Sequence, residues 1–197
     1  MKKIIVIILI IIIIFLGIGY WTYRLISKPE NQISNWKNYG NEKYGLEIDY
    51  PSNWNKYDSY EGNTVFAGIT FSPLKEKQLI EEGGAQFIIS PLMLSEKTDR
   101  EFAELRVKGF RSFNSNLEVE LSETYLNDIP AIKAESKKDI IVGVSSNDNE
   151  GPEGESIIYW FTKNNARFEI GYIYPVVEKE RYKPVFEHMI STFRFLK

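Results

Sequence analysis

From Ile4 to Leu16 the chain runs through thirteen apolar side chains without a break, Ile-Ile-Val-Ile-Ile-Leu-Ile-Ile-Ile-Ile-Ile-Phe-Leu. A run of this kind needs a membrane to bury it. No charge occurs from Ile4 to Tyr23, and twenty residues rising ~1.5 Å each match the ~30 Å hydrocarbon core of a bilayer. Each central Ile, Leu, Val or Phe favours insertion by about 0.3–0.6 kcal/mol. Tyr20, Trp21 and Tyr23 fall where an aromatic belt meets the headgroups. The segment predicts a transmembrane helix within an anchor spanning residues 1–27.

A cleaved signal peptide is the alternative, since Lys2 and Lys3 form a basic start and the apolar run overlaps an h-region in length. Cleavage needs small residues, and Gly17-Ile18-Gly19 is followed at once by bulky Tyr20 and Trp21. The chain has no cysteine, which excludes a lipoprotein-type anchor. The reading is therefore an uncleaved anchor. Lys2 and Lys3 favour an inside N-terminus, whereas Arg24, Lys28, Lys37 and Lys43 pull the other way. Long domains translocate largely regardless of charge, so the expected topology is single-pass in the cell membrane, with the C-terminal domain extracytoplasmic.

Residues 28–35, polar and opening with Pro29, read as a linker. Residues 36–197 have the length of one domain. The chain beyond Tyr23 carries a net charge of −5, because residues 1–23 hold two of the 24 basic residues and none of the 27 acidic ones. It lacks the basic footprint of a nucleic-acid or anionic-lipid binder. Without cysteine there is no disulfide, no thiolate catalysis and no sulfur-ligated zinc.

Leu46, Ile48 and Tyr50 alternate with Glu47 and Asp49, which predicts a strand with one buried face. Further strands are expected at Val65–Phe71, Gln86–Ile89, Leu117–Tyr125, Ala131–Glu135 and Ile140–Val144, with a loop at Glu81-Glu82-Gly83-Gly84. Thr98-Asp99-Arg100-Glu101 is a capping box, and Phe102, Leu105, Gly109 and Phe113 come after it at helical spacing, giving a helix over 99–113. Ser156–Thr162 and Arg167–Tyr174 form a hairpin across Lys163-Asn164-Asn165-Ala166. Its first strand is apolar on both faces, as in the middle of a sheet covered on both sides. Tyr182, Val185, Phe186, Met189 and Ile190 mark a C-terminal helix, in which Pro184 is expected in the first turn. The fold class is α+β, a single αβα sandwich with a mainly antiparallel sheet.

Trp36-Lys37-Asn38-Tyr39, Asn41, and Tyr44-Gly45-Leu46-Glu47-Ile48-Asp49-Tyr50-Pro51-Ser52-Asn53-Trp54 together resemble the opening signature of the PsbP-like proteins. Leu126-Asn127-Asp128-Ile129-Pro130-Ala131 is similar to their central strand–turn–strand. Phe186 to Phe195 resembles their closing helix and final strand. The resemblance spans residues 36–197 and implies an αβα sandwich shared with PsbP and with a Ran-binding import factor, usually without known activity.

Candidate chemistry is sparse. The single histidine, His188, flanks the apolar stripe of its helix, and no nucleophile–base constellation or phosphate loop is legible. Asp148, Glu150, Glu153 and Glu155 are the candidate metal ligands, though their spacing does not match a calcium loop. Trp54, Tyr57 and Tyr60 are the candidate ligand or partner contacts, set against a core role for Trp54 as a lid. Three functions are open on these grounds. The first is a non-enzymatic module that touches the bilayer through residues 4–23 and binds, or helps assemble, a partner protein complex, with no cofactor and no nucleic acid. The second is a small-ligand or cation-binding domain. The third is a carboxylate-dependent hydrolase using Asp49, Asp58 or Glu61, for which two converging carboxylates are required.

Overall fold

A computed structural model describes residues 35–58, 68–93, 95–140 and 152–196. The expected anchor and most of the linker lie outside the described residues, and among those described no helix is long and apolar enough to cross a membrane. Residues 35–197 make one compact unit.

The strands are β1 (Trp36–Asn41), β2 (Leu46–Pro51), β3 (Asn55–Asp58), β4 (Ile69–Ser72), β5 (Gln86–Leu92), β6 (Glu118–Leu126), β7 (Ile129–Ile140), β8 (Glu153–Lys163), β9 (Ala166–Pro175) and β10 (Arg194–Phe195). The helices are α1 (Glu76–Glu82), α2 (Asp99–Phe113) and α3 (Lys179–Thr192). Seven strands form the large sheet in the order β3-β4-β5-β9-β8-β7-β6, all paired antiparallel. The hairpin turns are made by Asn127-Asp128 and Asn164-Asn165, all four with positive φ, the two-residue geometry whose twist matches the flanking strands.

Both faces of the large sheet are covered. On one, Ala103 and Val107 of α2 pack with Ile132, Ala134 and Trp160. On the other, Phe186 of α3 meets Phe87, Tyr172 and Tyr174 at 4.9–6.1 Å between ring centroids. Trp160 is fully buried and lies beside α2, on the face opposite Tyr159, as the alternation requires.

The single expected sheet is instead two. β1, β2 and β10 form a separate three-stranded sheet, which packs on the outer side of α3 through Leu46 and Ile48, both fully buried. The cause is at the C-terminus. Arg194 and Phe195 pair antiparallel with Glu47 and Leu46, and the Leu196 amide donates to the Gly45 carbonyl at 2.6 Å, so β2 is taken up on both edges away from the large sheet.

Two smaller expectations also change. Glu81 and Glu82 close helix α1 rather than open a loop. Pro184 is the sixth residue of α3, not in its first turn, because a 3₁₀ turn at Val176–Glu178 starts the helical path early; the proline forfeits one backbone bond to the turn before it.

Candidate functional site

Helix α2 is fixed at its start by a complete capping box between Thr98 and Glu101. There Arg167, only 2% exposed, reaches up from β9. Its guanidinium donates to Asp99 Oδ1 at 2.9 Å, Ser95 Oγ at 2.8 Å and the Lys97 carbonyl at 2.6 Å, and it lies over the Phe102 ring. The helix then packs chiefly across β7 and β8, with β9 and β5 lying beside its flank. Between its flank and those strands opens a cleft of about 330 Å³, at the small end of the ~300–1,000 Å³ typical of ligand sites.

The cleft walls are Phe110 from α2, Leu117, Ile88 from β5, Ile158 from β8 and Ile173 from β9. Gly171 forms the floor between Glu169 and Ile173. A Cβ there would stand 3.0 Å from Ile158 Cγ1 and 3.1 Å from the Ile157 carbonyl oxygen, so the packing keeps this position bare. At one end Arg106 grips Glu169 with two of its nitrogens, Nε to Oε2 at 3.0 Å and Nη2 to Oε1 at 3.2 Å, and stacks over Phe110. Trp160 Nε1 donates to the same Glu169 Oε2 at 2.7 Å. The bidentate pair with a buried indole donor is a rigid end wall.

The other end is polar. Gln86, Asn114, Ser156 and Asp139 line it, and Ser156 Oγ donates to Asp139 Oδ2 at 2.9 Å while pairing with Ser136 Oγ. Asp139 owes its position to a bulge. β7 pairs Ser136 with Ser156 and then Asp139 with Gly154, three residues against two. One extra residue reverses the in–out alternation.

A second, more polar pocket of about 200 Å³ lies on the opposite face, lined by Lys133, Glu135, Tyr159, Tyr172, Lys183 and Glu187. Lys133 is paired with Glu135, and burial raises the Tyr159 phenol above its ordinary value and pushes that of Tyr172 well above it. They stay protonated at neutral pH.

The residues singled out from the sequence fall elsewhere. Trp54 is enclosed by Tyr182 and Phe186 at 6.1 and 5.4 Å and is 8% exposed, so it is the lid and offers no stacking face. Tyr57 donates to the Leu74 carbonyl at 2.7 Å; Tyr60, Asp148, Glu150 and Glu61 lie outside the described residues. Glu153 is exposed at the start of β8. Glu155 binds Lys179 Nζ at 2.9 Å and Tyr174 Oη at 3.0 Å, which commits it to an ion pair between β8 and α3. Among the described residues no three of His, Asp or Glu come together as a metal site. Asp49 accepts from Asn38 and buried Asp58 from Tyr39, on different sheets. The exposed His188 ring lies 4.0 Å from that of Trp36. The cleft residues were hidden in the sequence because Arg106 and Glu169 are 63 positions apart.

No protein-family profile and no curated protein sequence matches the chain. Among solved structures, cyanobacterial PsbP from Synechocystis sp. PCC 6803 superimposes with a TM-score of 0.53 at 16% identity, over 86% of this chain and 97% of that one. The Ran-binding protein Mog1p of Saccharomyces cerevisiae gives 0.50 at 11% identity, over 83% and 96%. The chain thus has the PsbP/Mog1-like fold, as the motifs at its two ends and centre imply.

Proposed function

We propose that residues 36–197 are a non-enzymatic binding domain, carried by the Ile4–Tyr23 anchor on the extracytoplasmic side of the cell membrane, and that the domain engages a protein partner in the cleft beside α2. One observation carries this reading: the cleft has apolar walls, and the charged groups at its inner end are bonded to one another, Arg106 and Trp160 both to Glu169. Such a site recognises shape and encloses one apolar group of a partner, in the manner of an interface hot spot. That a yeast protein with this fold is Ran-binding is in keeping with a protein partner.

The test is site-specific photo-crosslinking of the full-length protein in native membranes. A benzophenone side chain at Phe110, on the cleft rim, is expected to capture a discrete protein, and one at exposed Glu104 on the outer face of α2 is not. The added substitution Ile88→Phe, which fills the cleft, should abolish capture from Phe110. Equal capture from both positions, or capture unaffected by Ile88→Phe, would overturn the proposal.

A further inference from the structure

We infer that the outer edge of β6 is a second contact surface, which takes an extended basic segment of a protein partner as an added strand of the large sheet. The inference goes beyond the cleft and does not depend on it. β6 closes one side of that sheet, and among the described residues no strand pairs with its outer edge. The opposite edge, β3, is only four residues long, and short edges resist added strands. β6 runs for nine residues, Glu-Val-Glu-Leu-Ser-Glu-Thr-Tyr-Leu. All nine pair with β7 in one unbroken register. No bulge, proline or lysine is present in it to turn an added strand away.

The turn fixes which backbone groups face outward. Tyr125 stands opposite Pro130, and a proline has no N–H to give, so the N–H and C=O of Tyr125 point away from β7. Alternate residues of an antiparallel strand share that direction, which adds Glu123, Leu121 and Val119. Arg111 Nη2 donates to the Val119 carbonyl at 3.4 Å, in keeping with this phase. The side chains of the same four residues lie on the α2 side. Val119 and Leu121 pack there beside the Trp160 cluster, Glu123 is exposed and Tyr125 is 72% exposed. Glu120 lies on the other side, directly across from Glu135, whose ion pair is with Lys133. Like charges facing each other on neighbouring strands are destabilising. An added strand brings one residue beside Glu120 and another beside Glu123, and a lysine or arginine at each answers these charges. Apolar residues beside Val119, Leu121 and Tyr125 would extend the packing on the α2 side. A second copy of the chain fits poorly: β6 holds three glutamates and no basic residue, so paired copies would gather negative charge with none to offset it.

The probe is a fluorescein-labelled peptide, Val-Thr-Arg-Thr-Val-Lys-Val-Thr, which in an antiparallel pairing sets its arginine beside Glu123 and its lysine beside Glu120. Its binding to the full-length protein in non-ionic detergent is read by fluorescence anisotropy. Wild type is expected to prefer it about tenfold over a twin with glutamate in place of both basic residues, since two cross-strand pairs change sign. The double variant Glu120→Lys, Glu123→Lys, altered only at exposed side chains, should reverse that preference. N-methylation of the two valines beside Leu121 and Val119 removes N–H groups that the edge accepts and should abolish binding. N-methylation of the threonines beside Thr124 and Ser122, whose N–H groups face away, should not. A preference that survives the charge reversal, or equal binding of the two N-methylated peptides, overturns the inference. So does silence of the probe in wild type, or sedimentation of wild type as a dimer that the double variant loses. Crosslinking from Phe110 reads the cleft and not this edge, so either reading can fail alone.

Discussion

Trp160 uses both of its chemical characters. Its ring is fully buried under α2, and its Nε1–H is spent on Glu169. The two can be separated. Trp160→Ala removes ring and donor, with an expected loss of about 3–5 kcal/mol. Trp160→Phe keeps most of the packing and strips one donor from Glu169, costing about 1–3 kcal/mol. Asn165→Ala, which asks alanine to hold the left-handed turn at φ 58°, should cost about 1–2 kcal/mol. Urea unfolding of the three variants measures this; equal losses for Trp160→Ala and Asn165→Ala would contradict the packing described. Glu155 gives a pH dependence. Burial pushes its carboxyl up, but the bonds from Lys179 and Tyr174 and the nearby lysine charges outweigh burial, so its pKa lies below the usual carboxylate value. A group depressed in the folded state contributes stability that is complete above its unfolded pKa, near 4.3, and is lost as pH falls through the folded value. Glu155→Gln is therefore expected to be less stable than wild type at pH 7 and to converge with it at low pH, as seen in urea midpoints taken from pH 7 down to pH 3.

At the scale of elements, α2 shows how local and distant determinants divide. Its extent was legible as about Asp99 to Phe113, in agreement with the structure, because the Thr98–Glu101 box and the 3.6-residue apolar spacing are local signals. Its attachment was not legible. Arg167 lies 68 positions from Asp99, and nothing in a one-dimensional pattern joins them. Arg167→Met is expected to cost about 3 kcal/mol, since it strands the Asp99 carboxylate and the groups around it. Arg100→Ala, which breaks an exposed pair with Glu104, should cost under ~0.5 kcal/mol. Comparable urea midpoints for the two variants would refute this anchorage of the helix. Helix α1 was missed for a related reason: Lys75 gives it no side-chain cap, so its start carries no mark. The bulge in β7 was equally silent, since one additional residue in a polar strand leaves no trace until the partner strand is known.

For the whole molecule, the compact unit begins at Asn35 and holds its own buried apolar residues. Removal of residues 1–34 is expected to leave a soluble domain that unfolds in one cooperative urea transition, with the cleft variants behaving as in the full chain. Recovery of the truncated chain only as insoluble material would show that the core is incomplete. Protease added to intact cells should digest the domain if it faces outward; full protection would reverse the topology proposed. The division into two sheets, by contrast, could not be read from alternation, because period two reports a buried face without saying which sheet provides it.

The pairing of Arg194 and Phe195 with β2 also sets a clock. The residues that complete the small sheet leave the ribosome about 150 positions after β2, a delay of roughly seven to thirty seconds at ~5–20 residues per second. Through that interval Leu46 and Ile48 have neither α3 nor β10 to cover them. Until Arg194 and Phe195 are made the small sheet lacks its third strand, and that part of the nascent domain stays in an extended state that a membrane pore can still thread.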